Sequence, residues 1–214
     1  MTLPFLPADK ILFIGDSVTD SERARPVGEG LFGATGKGWV SLVDAALTVH
    51  HPELRLRVVN MGVSGNQVRH LADRWATDVL AQKPDWVSVM IGINDVWRQF
   101  DLPRQVEQHV GLKEYERTLS ALIRKTQPKV RGMILATPFF IEPLKSDAMR
   151  SMMDQYGAVV ARLAQSTGCR FVDTQAAFDR LCTHMHSSAI AWDRIHPNHI
   201  GHMALADAWL EAVA

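Results

Sequence analysis

Five short apolar runs recur along the chain, at residues 11–14, 56–60, 86–91, 132–136 and 170–172, and polar or glycine-rich sequence follows each. Stretches with helical spacing lie between them. Residues 39–49 carry Trp39, Val40, Leu42, Val43, Ala46 and Leu47, and residues 68–80 place Leu71, Trp75 and Val79 four apart on one face. Residues 112–123 do the same with Leu112, Tyr115, Leu119 and Leu122, and residues 149–164 and 199–213 continue the pattern. This alternation predicts an α/β fold with a parallel sheet and helices on both faces. The runs are nearly continuous in apolar character, as strands buried on both faces require. Gly168 is placed to end the fourth long helix as its C-cap. With no linker, repeat or low-complexity tract, residues 1–214 read as one domain.

Two segments exceed simple connections. Residues 19–38 contain five glycines together with Arg23 and Arg25, and residues 97–111 mix aromatic, charged and proline positions. Both read as long loops beyond the carboxyl ends of strands one and three, where open α/β sheets bind ligands. No Gly-x-Gly-x-x-Gly follows the first strand, so the first loop is not a dinucleotide fingerprint.

Composition narrows the partners. Of 214 residues 47% are hydrophobic, which gives a globular chain with a full core. Lys plus Arg and Asp plus Glu both number 23, so no basic surplus points to nucleic acid or to an anionic membrane. Cys169 and Cys182 lack metal-ligand spacing and read as small buried hydrophobes. Two prolines interrupt the apolar residues of the first seven positions, which carry no basic residue and do not read as a signal peptide. A cytoplasmic protein is the expectation.

Four motifs carry candidate chemistry, each just after a predicted strand or just before the last helix. Gly15-Asp16-Ser17 ends the first strand and offers a nucleophile at Ser17. Asp193-Arg194-Ile195-His196-Pro197 precedes the last helix; an Asp three residues before a His can fold back onto one imidazole nitrogen while the other faces a hydroxyl. Gly92-Ile93-Asn94-Asp95 follows the third strand and offers a side-chain amide to an oxyanion. Gly62-Val63-Ser64-Gly65-Asn66 follows the second, where Gly65 exposes a bare backbone N–H, or Ser64 or Asn66 caps the next helix. Each has an ordinary reading as a turn or cap. Together they supply a nucleophile, a base with its orienter, and oxyanion donors, the full set for acyl transfer.

In these blocks, and in their order, the sequence resembles the SGNH, or GDSL-type, hydrolases. More narrowly it is similar to the intracellular acetylxylan esterases of that family, through residues 13–20 with Arg23-Ala24-Arg25-Pro26, residues 82–98, 153–157 and 172–178. The resemblance implies a three-layer α/β/α sandwich around a flavodoxin-like, five-stranded parallel sheet. It implies Ser17 as nucleophile, His196 as base and Asp193 as its orienter, with the Ser17 and Gly65 backbones and the Asn94 side chain as oxyanion donors. Neither a metal nor an organic cofactor is implied. The implied substrate is a small acylated carbohydrate, acetylated xylo-oligosaccharide, and the closer relatives imply a homo-oligomer.

Other readings stay open at this level. The same blocks serve a general short-chain esterase, a thioesterase or a lysophospholipase, because they fix the reaction and not the leaving group. A binding module on the same sheet without catalysis is a third. Trp97 and Trp192 adjoin the third and last blocks and either line the substrate pocket or pack in the core. Asp16 and Asp95 either bond across the site or cap turns. Arg23 and Arg25 either meet sugar hydroxyls or form ion pairs within their loop, the latter being the simpler reading. Met149 to Met153 read as packing.

Overall fold

In the computed structural model, which describes residues 3–214, five strands form one parallel sheet in the order β2-β1-β3-β4-β5. The strands are β1 (Lys10–Gly15), β2 (Arg57–Asn60), β3 (Trp86–Met90), β4 (Gly132–Ala136) and β5 (Arg170–Val172). All five predicted runs are strands, the first three differing by one residue at one or both ends. Every residue of β3 is buried, Ser88 included, as its nearly continuous apolar character requires.

The helices are α1 (Ser17–Asp20), α2 (Trp39–His50), α3 (Val68–Asp78), α4 (Ile93–Asp101), α5 (Leu112–Thr126), α6 (Ala148–Thr167), α7 (Thr174–Cys182) and α8 (His199–Val213). They make two sets: α2 packs on α8 and α8 on α7, while α3 packs on α5 and α5 on α6. The expected faces are the buried ones. Leu71 and Trp75 of α3, with Val79 just beyond it, are fully enclosed, as are Tyr115 and Leu119 of α5, where Leu122 is buried and Leu112 half-buried. Gly168 closes α6 at φ +69, and its N–H bonds to the Ala164 carbonyl.

Two expectations need correction. Residues 97–111 are not one loop, because α4 runs to Asp101 and only the remainder is irregular, with a short 3-10 turn at Val106–Gln108. Ile93, Val96, Trp97 and Phe100 stand at i, i+3, i+4 and i+7, a helical stripe that the charged residues between them obscured. The sequence reading also lacked α7, a nine-residue helix whose N-cap Asp173 accepts from the Ala176 amide. Its stripe is short, with only Ala177 and Phe178 fully buried among its apolar residues. Cys169 and Cys182 are half-buried rather than core residues. Met149 and Met153 are packed in the core.

The order 2-1-3-4-5 reverses direction between β1 and β3, and the crevice beyond their carboxyl ends is where such sheets place ligands. Ser17 follows β1 there, and Asn94 follows β3. The last helix brings its leading loop to the same crevice.

Candidate active site

Ser17 opens α1 directly after β1, with Asp16 as the N-cap; one Asp16 oxygen accepts from the Val18 amide at 3.1 Å. Ser17 Oγ lies 2.9 Å from Nε2 of His196. Nδ1 of His196 lies 2.6 Å from Oδ2 of Asp193. The other Asp193 oxygen accepts from the Ile195 and His196 amides at 3.0 and 2.8 Å. Burial pushes the Asp193 carboxyl up, but the bonds from His196 and from these two amides outweigh it and hold the group below the ordinary carboxylate range. Asp193 is therefore an anion at neutral pH. A neutral imidazole beside it keeps its proton on Nδ1 and turns a lone pair on Nε2 toward Ser17.

The loop that carries Asp193 and His196 is fastened at both ends. Arg194, at φ +63, donates to Glu142 at 2.5 Å, and its carbonyl accepts from the Ile141 amide at 2.9 Å. Beyond Pro197, Asn198 caps α8 by accepting from the Ile200 and Gly201 amides.

The donors converge from two further strand ends. Asn94 is buried in the first turn of α4, and its Nδ2 donates to the Asn66 carbonyl at 3.1 Å. Gly65 sits at φ +79 with open space where a Cβ would stand, so it can hold its turn and let a ligand approach its backbone. Among the described residues, neither the Ser17 nor the Gly65 amide N–H donates to another group. The turn at Gly92 is as demanding: at φ +132, a Cβ there would meet Pro138 at 2.8 Å.

Ser64 and Asn66 do not cap α3, whose N-cap is Gln67. Ser64 is held instead by Asp20, which accepts from its amide at 3.0 Å and its hydroxyl at 3.1 Å. Asp95 both spans the site and caps. From α4, its two carboxylate oxygens accept from the Val68 amide, the first of α3, at 3.0 and 3.2 Å. Asp16 and Asp95 are both buried. Burial pushes Asp16 up to about 7, against the lowering pull of its Val18 bond and of His196. Burial pushes Asp95 up to about 7 as well, the Val68 bond opposing and the Asp16 charge reinforcing it. Among the described residues, Oδ2 of Asp16 has no hydrogen-bond partner.

Arg25 makes the expected ion pair, with Asp20 at 2.6 Å. Arg23 does not: it is buried, and its guanidinium donates to the carbonyls of Gly62, Ala24 and Pro26 at 2.7, 3.0 and 2.8 Å. Burial and the neighbouring Arg25 cation pull its pKa down to about 10.

The Trp97 ring meets the His196 ring edge-on, with centroids 5.9 Å apart. Trp192 precedes Asp193 and is 85% exposed, which excludes the core-packing alternative for it.

Three supports were missed in the sequence. Arg74 ties the loop after β2 to the end of β1 by donating to the Met61 carbonyl and Oδ1 of Asn66 in the one and to the Gly15 carbonyl in the other. Asn60, at the end of β2, donates to the Thr19 and Thr35 carbonyls and accepts from the Gly62 amide. Arg98, four residues after Asn94, donates to its Oδ1 at 3.1 Å. A buried amide closing an apolar strand was a readable signal for Asn60. Arg74 and Arg98 lie on helix faces that read as solvated charge.

Comparisons with known proteins agree with this geometry. The model of the GDSL-like Lipase/Acylhydrolase family matches residues 13–204. The chain is 58% identical over 205 residues to an acetylxylan esterase of Geobacillus stearothermophilus, covering 96% of this chain and 94% of that one. The solved structure of an acetylxylan esterase from that organism superposes with a TM-score of 0.97 at 56% identity, covering 98% of this chain and 96% of the other. Catalytic mutants of it, with a serine, an aspartate or a histidine changed to alanine, have also been solved. An alpha/beta hydrolase from the metagenome of Lake Arreo, Spain, gives a TM-score of 0.97 at 54% identity over 99% of this chain and 98% of its own.

Proposed function

The chain belongs to the GDSL-like lipase/acylhydrolase family and is a carboxylic ester hydrolase, and we propose that it removes acetyl groups from short xylo-oligosaccharides through an acyl-enzyme on Ser17. The observation that carries this reading is the unbroken chain of hydrogen bonds from Asp193 through His196 to Ser17. The residues changed in the relative's catalytic mutants are separated along that chain by the same intervals as Ser17, Asp193 and His196 here. The relative is also described as an acetyl-xylooligosaccharide esterase, which supports the choice of substrate.

In this mechanism Ser17 Oγ attacks the ester carbonyl as its proton passes to Nε2 of His196. Asp193 keeps the imidazole aimed and stabilises the imidazolium that forms. The carbonyl oxygen gains charge and takes hydrogen bonds from the Ser17 and Gly65 amides and from Nδ2 of Asn94. Each such donor lowers the barrier by roughly 2.7–4 kcal/mol in comparable sites. The tetrahedral intermediate collapses, the sugar alcohol leaves with the proton from His196, and acetyl remains on Ser17. Water, deprotonated by His196, then releases acetate and restores the serine. Trp97 and Trp192 flank this site, and their faces suit the acetyl methyl and the apolar faces of a sugar ring. We further propose that the chain works as a homo-oligomer.

The test is a substrate panel run with the parent and Ser17→Ala. The parent should release acetate from acetylated xylo-oligosaccharide much faster than it cleaves acyl-CoA or lysophospholipid. Ser17→Ala should lose at least about 10³ of the turnover while remaining folded. Equal rates on all three substrates would remove the carbohydrate assignment, and parent-like activity in Ser17→Ala would remove the nucleophile.

A further inference from the structure

An amide side chain can face a ligand with either end, and only its N–H end stabilises an oxyanion. One face of α4 fixes which end of Asn94 is presented. Asn94, Trp97, Arg98 and Asp101 stand at i, i+3, i+4 and i+7, so they share that face. Nη2 of Arg98 donates to Oδ1 of Asn94 at 3.1 Å. Nδ2 of Asn94 donates one of its two N–H groups to the Asn66 carbonyl at 3.1 Å. The second N–H is left for a ligand.

Arg98 is itself held from two further sides. Its guanidinium carbon lies 4.3 Å from the centre of the Trp97 ring, the ring whose edge meets His196. Its other terminal nitrogen, Nη1, donates to the Asp101 carboxylate. A planar, fork-shaped cation can serve both oxygens and stack on an aromatic face at once, which an ammonium cannot.

We propose that Arg98 is a positioning residue of the oxyanion site. Holding Oδ1 of Asn94, it keeps the amide from turning over and draws electron density toward that oxygen, which makes the free N–H a stronger donor. Asp101 and Trp97 fix the guanidinium in the place where it does this. The inference rests on the reading of Asn94 as an oxyanion donor.

A double-mutant cycle tests it. The parent, Asn94→Ala, Arg98→Met and the double variant are compared on an aryl acetate, with a thermal melt of each. Arg98→Met should lower kcat and kcat/KM together by roughly tenfold, a fraction of what losing a whole donor costs, with KM unchanged. In the Asn94→Ala background the same change should cost less than about twofold, because its target is gone. An equal loss in both backgrounds, a loss confined to KM, or no loss in the parent background would overturn the role of Arg98. An Asn94→Ala variant with parent-like kcat would instead overturn Asn94 as the donor, a separate outcome read from a different corner of the cycle. A fall in melting temperature that tracks the fall in kcat would also overturn it, by making Arg98 a structural residue.

Discussion

Asp16 stands next to Ser17, yet its carboxyl is built to be neutral more readily than any exposed acid. Unfolded, it titrates near its ordinary 3.8; folded, near 7. Between those values the folded state binds the proton more tightly, so this contribution to stability is complete at acid pH and is lost as pH rises through 7. Asp95 pushes in the same direction, and the two charges oppose each other. Asp16→Asn retains an oxygen for the Val18 amide and removes the buried charge. Its stability relative to the parent should improve by more than about 1 kcal/mol between pH 5 and pH 8, measured by denaturant titration at each pH. A difference that stays flat with pH would mean that Asp16 is ionised throughout, with His196 compensating it. Asp193 behaves in the opposite way. Its pKa is depressed in the folded state, so what it contributes persists at neutral pH and fades only under acid.

At the scale of elements, α8 both completes one helical layer and carries the loop that brings His196 to Ser17. Asn198 joins these roles: it caps α8 with its Oδ1, donates Nδ2 to the Ala189 carbonyl at 2.8 Å, and sits two residues after His196. Asn198→Ala should cost about 1 kcal/mol in urea denaturation, the ordinary value of such a cap. It should also reduce kcat, because the loop between Asp193 and the helix loses its fixed exit. The strands, the main helices and the four chemical blocks were legible because each is a local pattern: an apolar run, a spacing of four, an Asp three before a His. What was not legible was long-range. Nothing near Asp95 says that it will cap α3, and nothing near Arg23 says that it will spend its guanidinium on three carbonyls rather than on a carboxylate. α4 and α7 were missed for a different reason, since in both the apolar stripe is short and charged neighbours dilute it.

Across the whole molecule, two indoles act as anchors, one within a helical layer and one between the other layer and the sheet. Within one helical layer Trp75 of α3 ties that helix to Thr126 at the end of α5, donating at 2.9 Å. In the other, Trp209 of α8 donates to Ser88 of β3 at 3.0 Å, and its ring packs 5.2 Å from that of Phe13. Phe13 and Ser88 are register partners in β1 and β3, so one tryptophan touches both strands that flank the crevice. Trp209→Ala should destabilise the protein by about 3–5 kcal/mol in chemical denaturation, from lost burial and an orphaned hydroxyl. A loss below 1 kcal/mol would show that α8 is not tied to the sheet through this residue.

The bond between Ser17 and His196 joins positions 179 residues apart. A ribosome adds Ser17 long before it adds His196. On the proposed mechanism, the chain carries between those two moments a serine with no base beside it. On the same mechanism, the onset of ester cleavage dates the closing of the fold over this contact.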